Sequence, residues 1–170
     1  GLCCRVDGAS RLDALLKSCG DARACVVASS AAVYEASIGG AVRGGPSVRT
    51  HKRPLLAESA AVEVDGTDSA GLAWRLERAA KAHARKLKVC GLRYFGVFGG
   101  GADWGRDVMA RFLVNDDERT TLPSAGAYAD VCGVAEAAEA AVRAMGALVA
   151  GGPKYAVVNV GTGRAPRAAP

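Results

Sequence analysis

Apolar positions along this chain switch repeatedly between helical and continuous spacing. In Gly8–Ser18 they fall at Leu12, Leu15 and Leu16, one face of an amphipathic helix, and Cys19-Gly20-Asp21 supplies a glycine stop. Ala24-Cys25-Val26-Val27-Ala28 follows as a short unbroken apolar run, the pattern of a strand covered on both faces of a parallel sheet. Residues Gly39 to Thr50, rich in glycine with Pro46 and Ser47, read as a loop. From Ser69 to Leu87 the spacing of Leu72, Leu76, Ala79, Ala80 and His83 predicts a helix. Lys88 to Phe98 then predicts one strand, closed by Gly99-Gly100-Gly101.

A short helix is expected over Val108–Leu113 and a longer one over Val131–Val149, carrying Val134, Ala138, Ala141, Val142 and Met145. Lys154–Val160 predicts a last strand, followed by Gly161-Thr162-Gly163, and the tail 164–170, with Pro166 and Pro170, is expected to be irregular. Strands alternating with helices of this length define an α/β chain with a parallel sheet flanked by helices. The 170 residues suit a single domain, 1–170, and hold no internal repeat.

Composition sharpens this picture in three ways. Half the residues are hydrophobic but only 5% are aromatic, so the core must be built from Ala, Val and Leu. No apolar run approaches the ~20 residues that span a bilayer, and the chain reads as soluble. The net charge of +5 is spread out, as in Lys52-Arg53, Arg85-Lys86 and Arg106. No basic stripe interleaved with aromatics marks a nucleic-acid surface.

Cys3, Cys4, Cys19, Cys25, Cys90 and Cys132 contain no Cys-x-x-Cys pair. His51 and His83 are not at ligand spacing from each other or from a cysteine, so no metal site is expected. The cysteines within apolar runs read as small buried hydrophobes in a reducing compartment. The first residue is Gly1 rather than Met, which suggests a removed leader or a start within a longer chain. With the Ala/Arg-rich style, this gives an organellar location, plastid or mitochondrion, as the expectation.

Four segments, in order, carry a family likeness. They are Arg5-Val6-Asp7-Gly8-Ala9 before the first helix, Val26-Val27-Ala28-Ser29-Ser30-Ala31-Ala32-Val33-Tyr34, Gly91-Leu92-Arg93-Tyr94-Phe95-Gly96-Val97-Phe98-Gly99, and Val158-Asn159-Val160-Gly161-Thr162-Gly163-Arg164. Together the chain resembles the extended short-chain dehydrogenase/reductases, the NAD-dependent nucleotide-sugar epimerase/dehydratase family, closest in wording to ADP-heptose epimerases. The resemblance implies a partial doubly wound, Rossmann-like parallel sheet lacking its N-terminal βαβ units, with remnants of a small substrate domain.

It also implies chemistry that these residues do not supply. The family holds NAD on a glycine-rich turn between a strand and a helix, where backbone N–H groups meet the pyrophosphate. No such turn occurs here, and Gly39-Gly40 and Gly44-Gly45 follow no strand. No cofactor is therefore expected. The family exchanges a proton through a Tyr whose pKa is lowered by a Lys four residues on. The residues four after this chain's four tyrosines are Ile38, Phe98, Cys132 and Asn159, and the pair's positions fall near Ala70 and Trp74.

Ser30 stands where the family's supporting Ser or Thr does. Read by itself, it caps a strand end by bonding backbone groups of the turn. The family's diphosphate-gripping Arg-Asp aligns with Gly126-Ala127; Arg93 and Arg164 remain, Arg93 as a structural residue or a surface charge at a strand end.

The expected function is a non-catalytic, epimerase-derived accessory subunit. The alternative is the substrate-side half of a split epimerase completed by a partner. The apolar strand at Cys25, Val26 and Val27 would be a sheet edge that other protein subunits cover. Trp104, in Gly101-Ala102-Asp103-Trp104-Gly105, reads as a packed loop residue or a partner anchor. Trp74 either fills the space of the lost pair or faces a partner.

Overall fold

The computed structural model of the protein describes residues 8–18, 20–34, 57–60, 69–99 and 132–163. In chain order these form α1 (Gly8–Ser18), β1 (Ala24–Ser30), α2 (Ser69–Ala82), β2 (Lys88–Tyr94), β3 (Val97–Phe98), β4 (Cys132–Gly133), α3 (Val134–Val149) and β5 (Tyr155–Val160), with short 3-10 turns at Ala31–Tyr34, Glu58–Ala60 and His83–Arg85. β2 lies between β1 and β5 in a three-stranded parallel sheet. The register sets Val27 against Gly91 and Gly91 against Val157. The architecture is α/β, as the alternating pattern predicts, and partly Rossmann-like, as the resemblance implies.

The period of two along the strands sorts side chains between two cores. On one face, Val27 and Val89 pack with Leu16, Ala80 and Leu87 beneath α1 and α2. On the other, Cys90, Leu92 and Val160 pack with Leu148 and a floor of alanines, Ala137, Ala140, Ala141 and Ala144, on α3. Between its half-buried end residues, Lys88 and Tyr94, β2 is buried throughout, as a central parallel strand demands. β1 and β5 are the edges of this sheet among the described residues. Most of β1 is half-buried and Ala28 is exposed.

Three element boundaries differ from the sequence expectation. The strand expected over Lys88–Phe98 is two strands. The chain leaves the main sheet at Phe95-Gly96, with Phe95 N–H bonded to the Val160 carbonyl (3.0 Å) and the Gly96 carbonyl accepting from Cys132 N–H (3.2 Å). Val97–Phe98 then pairs in parallel with Cys132–Gly133. That pairing also shortens the expected helix Val131–Val149, which begins at Val134 because Gly133 is extended (φ −67°, ψ 150°). The helix expected to Leu87 ends at Ala82 and tightens into a 3-10 turn.

At its far end α3 closes with Ala150 N–H on Gly146 O (2.9 Å) and Gly152 N–H on Ala147 O (2.9 Å). Gly151 has φ +114°, a conformation that favours glycine. Lys88 Nζ donates to Leu148 O (3.0 Å), so the first residue of β2 caps the end of α3.

The loop 39–50, the helix Val108–Leu113, Trp104, Arg164 and the tail 164–170 lie outside the described residues. Among the described residues no helix is long and apolar enough to cross a membrane.

Leu92 is 1% exposed at the centre of the α3-side core. Leu92→Ala is expected to lower unfolding free energy by about 3 kcal/mol, measured by urea denaturation, whereas Leu15→Ala on the exposed side of α1 should change it by less than about 0.5 kcal/mol.

Candidate functional site

At the carboxyl ends of the strands, where ligands of open α/β sheets commonly sit, polar side chains from six elements converge. Arg93, next to last in β2, points to the α2 side of the sheet, and Glu77 projects from α2 to meet it. Each is 3% exposed. Their contact is a two-pronged fork: Arg93 Nε donates to Glu77 Oε1 (2.9 Å) and Nη2 to Oε2 (2.7 Å). Gly91 makes room for it, because a Cβ there would lie 3.8 Å from Glu77 Cγ and 3.7 Å from Val157.

The network extends outward from this pair. Ser29 Oγ donates to Glu77 Oε1. Arg93 Nη1 donates to the Tyr34 hydroxyl (2.8 Å) and to the Glu58 carbonyl (2.8 Å), and the guanidinium lies 5.0 Å over the Tyr34 ring. The Tyr34 hydroxyl donates to Asn159 Oδ1 (2.7 Å), and Asn159 N–H donates to Glu58 Oε1 (3.0 Å). Burial opposes the charge on Arg93, but the bonds from Glu77 and Tyr34 outweigh it and push its pKa above the ordinary value. The bond from Asn159 N–H holds the Glu58 carboxyl below the usual range.

Burial pushes the hydroxyls of Tyr94 and Tyr155 up, away from the direction a general acid or base needs. Tyr34 is fully buried, its oxygen held between Arg93 and Asn159. Among the described residues no three His, Cys, Asp or Glu side chains group as a metal site.

The residues singled out from sequence are dispersed around this cluster. Ser30 Oγ accepts from Ala32 N–H (3.1 Å) within the turn after β1. Ala70 is buried near the start of α2. Trp74, one turn on, is half-buried against Val33, Tyr34 and Ala73, and its indole N–H is buried with no partner among the described residues. Val27 is buried in the α1–α2 core, Cys25 packs against that core, and Val26 packs against the α3 core. These three offer a partner the β1 backbone edge rather than their side chains. Arg93 is not a surface charge.

Glu77, Ser29, Glu58 and Asn159 were missed from sequence. Glu77 left a signal: Ala70, Ala73, Glu77 and Ala80 share the buried face of α2. A lone carboxylate on such a face requires a buried cation.

A recess of about 1060 Å³, lined in part by Glu58, Glu77 and Arg93 of the network, opens between α2 and β5. Trp74, Arg78, Lys81 and Arg85 line one wall, and Tyr155 and Val157 line the other. Lys81 Nζ sits 5.3 Å over the Tyr155 ring.

No protein-family model matches the chain, and no curated protein matches it in sequence. Among solved structures it is similar to a UDP-N-acetylglucosamine 4-epimerase from Methanobrevibacter ruminantium M1, solved in complex with UDP-N-acetylmuramic acid. The TM-score is 0.65 at 22% identity, over 95% of this chain and 48% of that one. The likeness establishes an epimerase-like fold, and the chain spans about half the neighbour's length. It lends no support to the narrower resemblance to ADP-heptose epimerases.

Two outcomes test the network. Arg93→Met, which leaves Glu77 buried and unpaired, is expected to cost about 3–5 kcal/mol in urea denaturation, and adding Glu77→Leu should recover most of that loss. The lowered pKa of Glu58 adds stability that is present above the carboxyl's ordinary pKa of 4.5 and lost as pH falls through its lower folded value. Glu58→Gln should therefore lower the urea midpoint at pH 7, and the deficit should shrink by about pH 3.

Proposed function

We propose that this chain is a non-catalytic protein of epimerase-like fold that serves as an accessory subunit of a larger protein assembly. One observation carries the reading. At the strand ends, where chemistry would be done, Ser29, Glu77, Arg93, Tyr34, Asn159 and Glu58 are bonded to one another. A cluster closed on itself holds the sheet and helix together but presents no poised proton donor or acceptor. The sequence agrees, since none of its tyrosines is followed four residues later by a lysine. No dinucleotide is assigned to the chain, whose sequence holds no Gly-x-Gly-x-x-Gly spacing. The accessory role is supported by β1, an apolar strand at the sheet edge whose backbone is a template for pairing.

A second reading is favoured by the coverage: the chain accounts for 48% of its structural neighbour. In that reading it is the substrate-side half of a split epimerase, and a partner supplies the dinucleotide cradle and the acid/base pair.

Thermal melting of the purified chain with NAD and with UDP-N-acetylglucosamine tests both. A ligand bound only by the folded state adds about 4 kcal/mol at a thousandfold excess over its Kd, which moves the melting temperature by several degrees. No shift and no turnover by chromatography are expected for the chain alone and for the complex it purifies with. A shift in the complex alone moves the assignment to the split enzyme. Turnover by the isolated chain overturns both readings. Hydrogen exchange at β1 is expected to be faster than at β2 in the isolated chain and to slow in the complex.

A further inference from the structure

β5 is an edge of the sheet among the described residues, and its bonds to β2 sort its backbone groups. Val89 N–H donates to the Lys154 carbonyl (2.9 Å) and Phe95 N–H to the Val160 carbonyl (3.0 Å). The even-numbered residues therefore face β2, and Tyr155, Val157 and Asn159 turn their backbone groups outward. A carboxylate already stands at this outer edge, where Glu58 Oε1 accepts the Asn159 N–H. Among the described residues the backbone of Tyr155 and Val157 has no partner on that side. No charge or proline interrupts Tyr155–Val160 to blunt the edge.

The two faces beside this edge differ in chemistry. On the α2 side lies the recess, and its acids are engaged: Glu77 is forked to Arg93 and Glu58 holds Asn159. Lys81 and Arg85 line the same recess, are exposed, and meet no carboxylate among the described residues. On the α3 side, Ala156 and Val160 pack on the core, and the period of two sets Val158 between them, 42% exposed. A strand added to β5 thus meets cations with one set of alternate side chains and Val158 with the other. The spacing agrees. Lys81 and Arg85 stand roughly 6–7 Å apart along the axis of α2 and its closing turn, and alternate residues of a strand are about 6.6 Å apart. The chain's own tail, 164–170, carries Arg164 and Arg167 and no acid, so it lacks the complementary charge.

We propose that the outer edge of β5 docks an extended acidic segment of a partner protein, with carboxylates at alternate positions toward Lys81 and Arg85 and apolar side chains beside Val158. That the partner is a protein rests on the accessory-subunit reading. The docking itself involves neither NAD nor a sugar nucleotide, so the two can fail separately.

Fluorescence polarisation of a labelled Glu-Val-Glu-Val-Glu-Val-Glu peptide with the full chain, up to about 200 µM, tests it. Saturable binding is expected at about 0.1 M salt, weakened at least about fivefold by Lys81→Glu, by Arg85→Glu or by about 0.5 M salt. Val158→Glu should weaken it severalfold. Arg11→Glu, the same charge change on α1, should leave it unchanged. Far-UV circular dichroism identifies any variant that fails to fold, and the salt dependence stands in for it. A peptide of the same composition with its glutamates in one block should bind at least about tenfold more weakly. No binding at 200 µM, or binding indifferent to salt and to both charge reversals, overturns the proposal. Equal binding of the block peptide overturns the strand pairing. Displacement by an oligothymidylate as readily as by unlabelled peptide overturns the protein partner and assigns the edge to nucleic acid.

Discussion

A guanidinium and a carboxylate, both nearly out of water, face each other between α2 and the central strand, and each is tolerable there only because of the other. Desolvating either ion alone carries a penalty of several kcal/mol. The fork between Arg93 and Glu77, extended by Ser29 and Tyr34, offsets that penalty with charge-assisted bonds. The pair ties α2 to the central strand, and Arg93 also bonds Tyr34 in the turn after β1. Through Asn159 it also reaches the end of β5. Hydrophobic burial is non-directional, so this network is what sets the position of these elements relative to one another.

The same bonds decide what the strand ends can do. An active site needs groups whose protonation is poised near working pH and whose partners are found in the substrate. Here the acceptors of Glu77 and the donors of Arg93 already have partners within the chain. The bonds that make the cluster stable are the observation on which the non-catalytic reading proposed above rests.

Much of the element order was legible in the sequence because spacing reports helices and strands, but it did not always report burial: Leu15, Leu72, Val134, Val142 and Met145 are exposed. The helix Gly8–Ser18 and the apolar runs that became β1 and β5 were readable from periodicity. Less visible was any feature set by a distant partner. The break at Gly96 depends on Val160 and Cys132 accepting the chain into new pairings. The start of α3 depends on that same event. In the site, Arg93 could be seen but its burial could not, since β2's register against β1 and β5 determines which neighbours enclose it. Glu77 was readable in principle as the one charge on an alanine face.

The alanine floor beneath α3 has a mechanical side. Methyl groups at Ala137, Ala140, Ala141 and Ala144 let the helix come close to the sheet but interlock weakly with it, since ridges this low offer little resistance to sliding. Location along the helix axis is therefore set at the two ends, where Cys132, its N–H on the Gly96 carbonyl, leads into the first turn and where Leu148 enters the core with its carbonyl on the Lys88 ammonium. α3 behaves like a plank resting on two trestles, and a force along its axis would be borne by its ends before its middle.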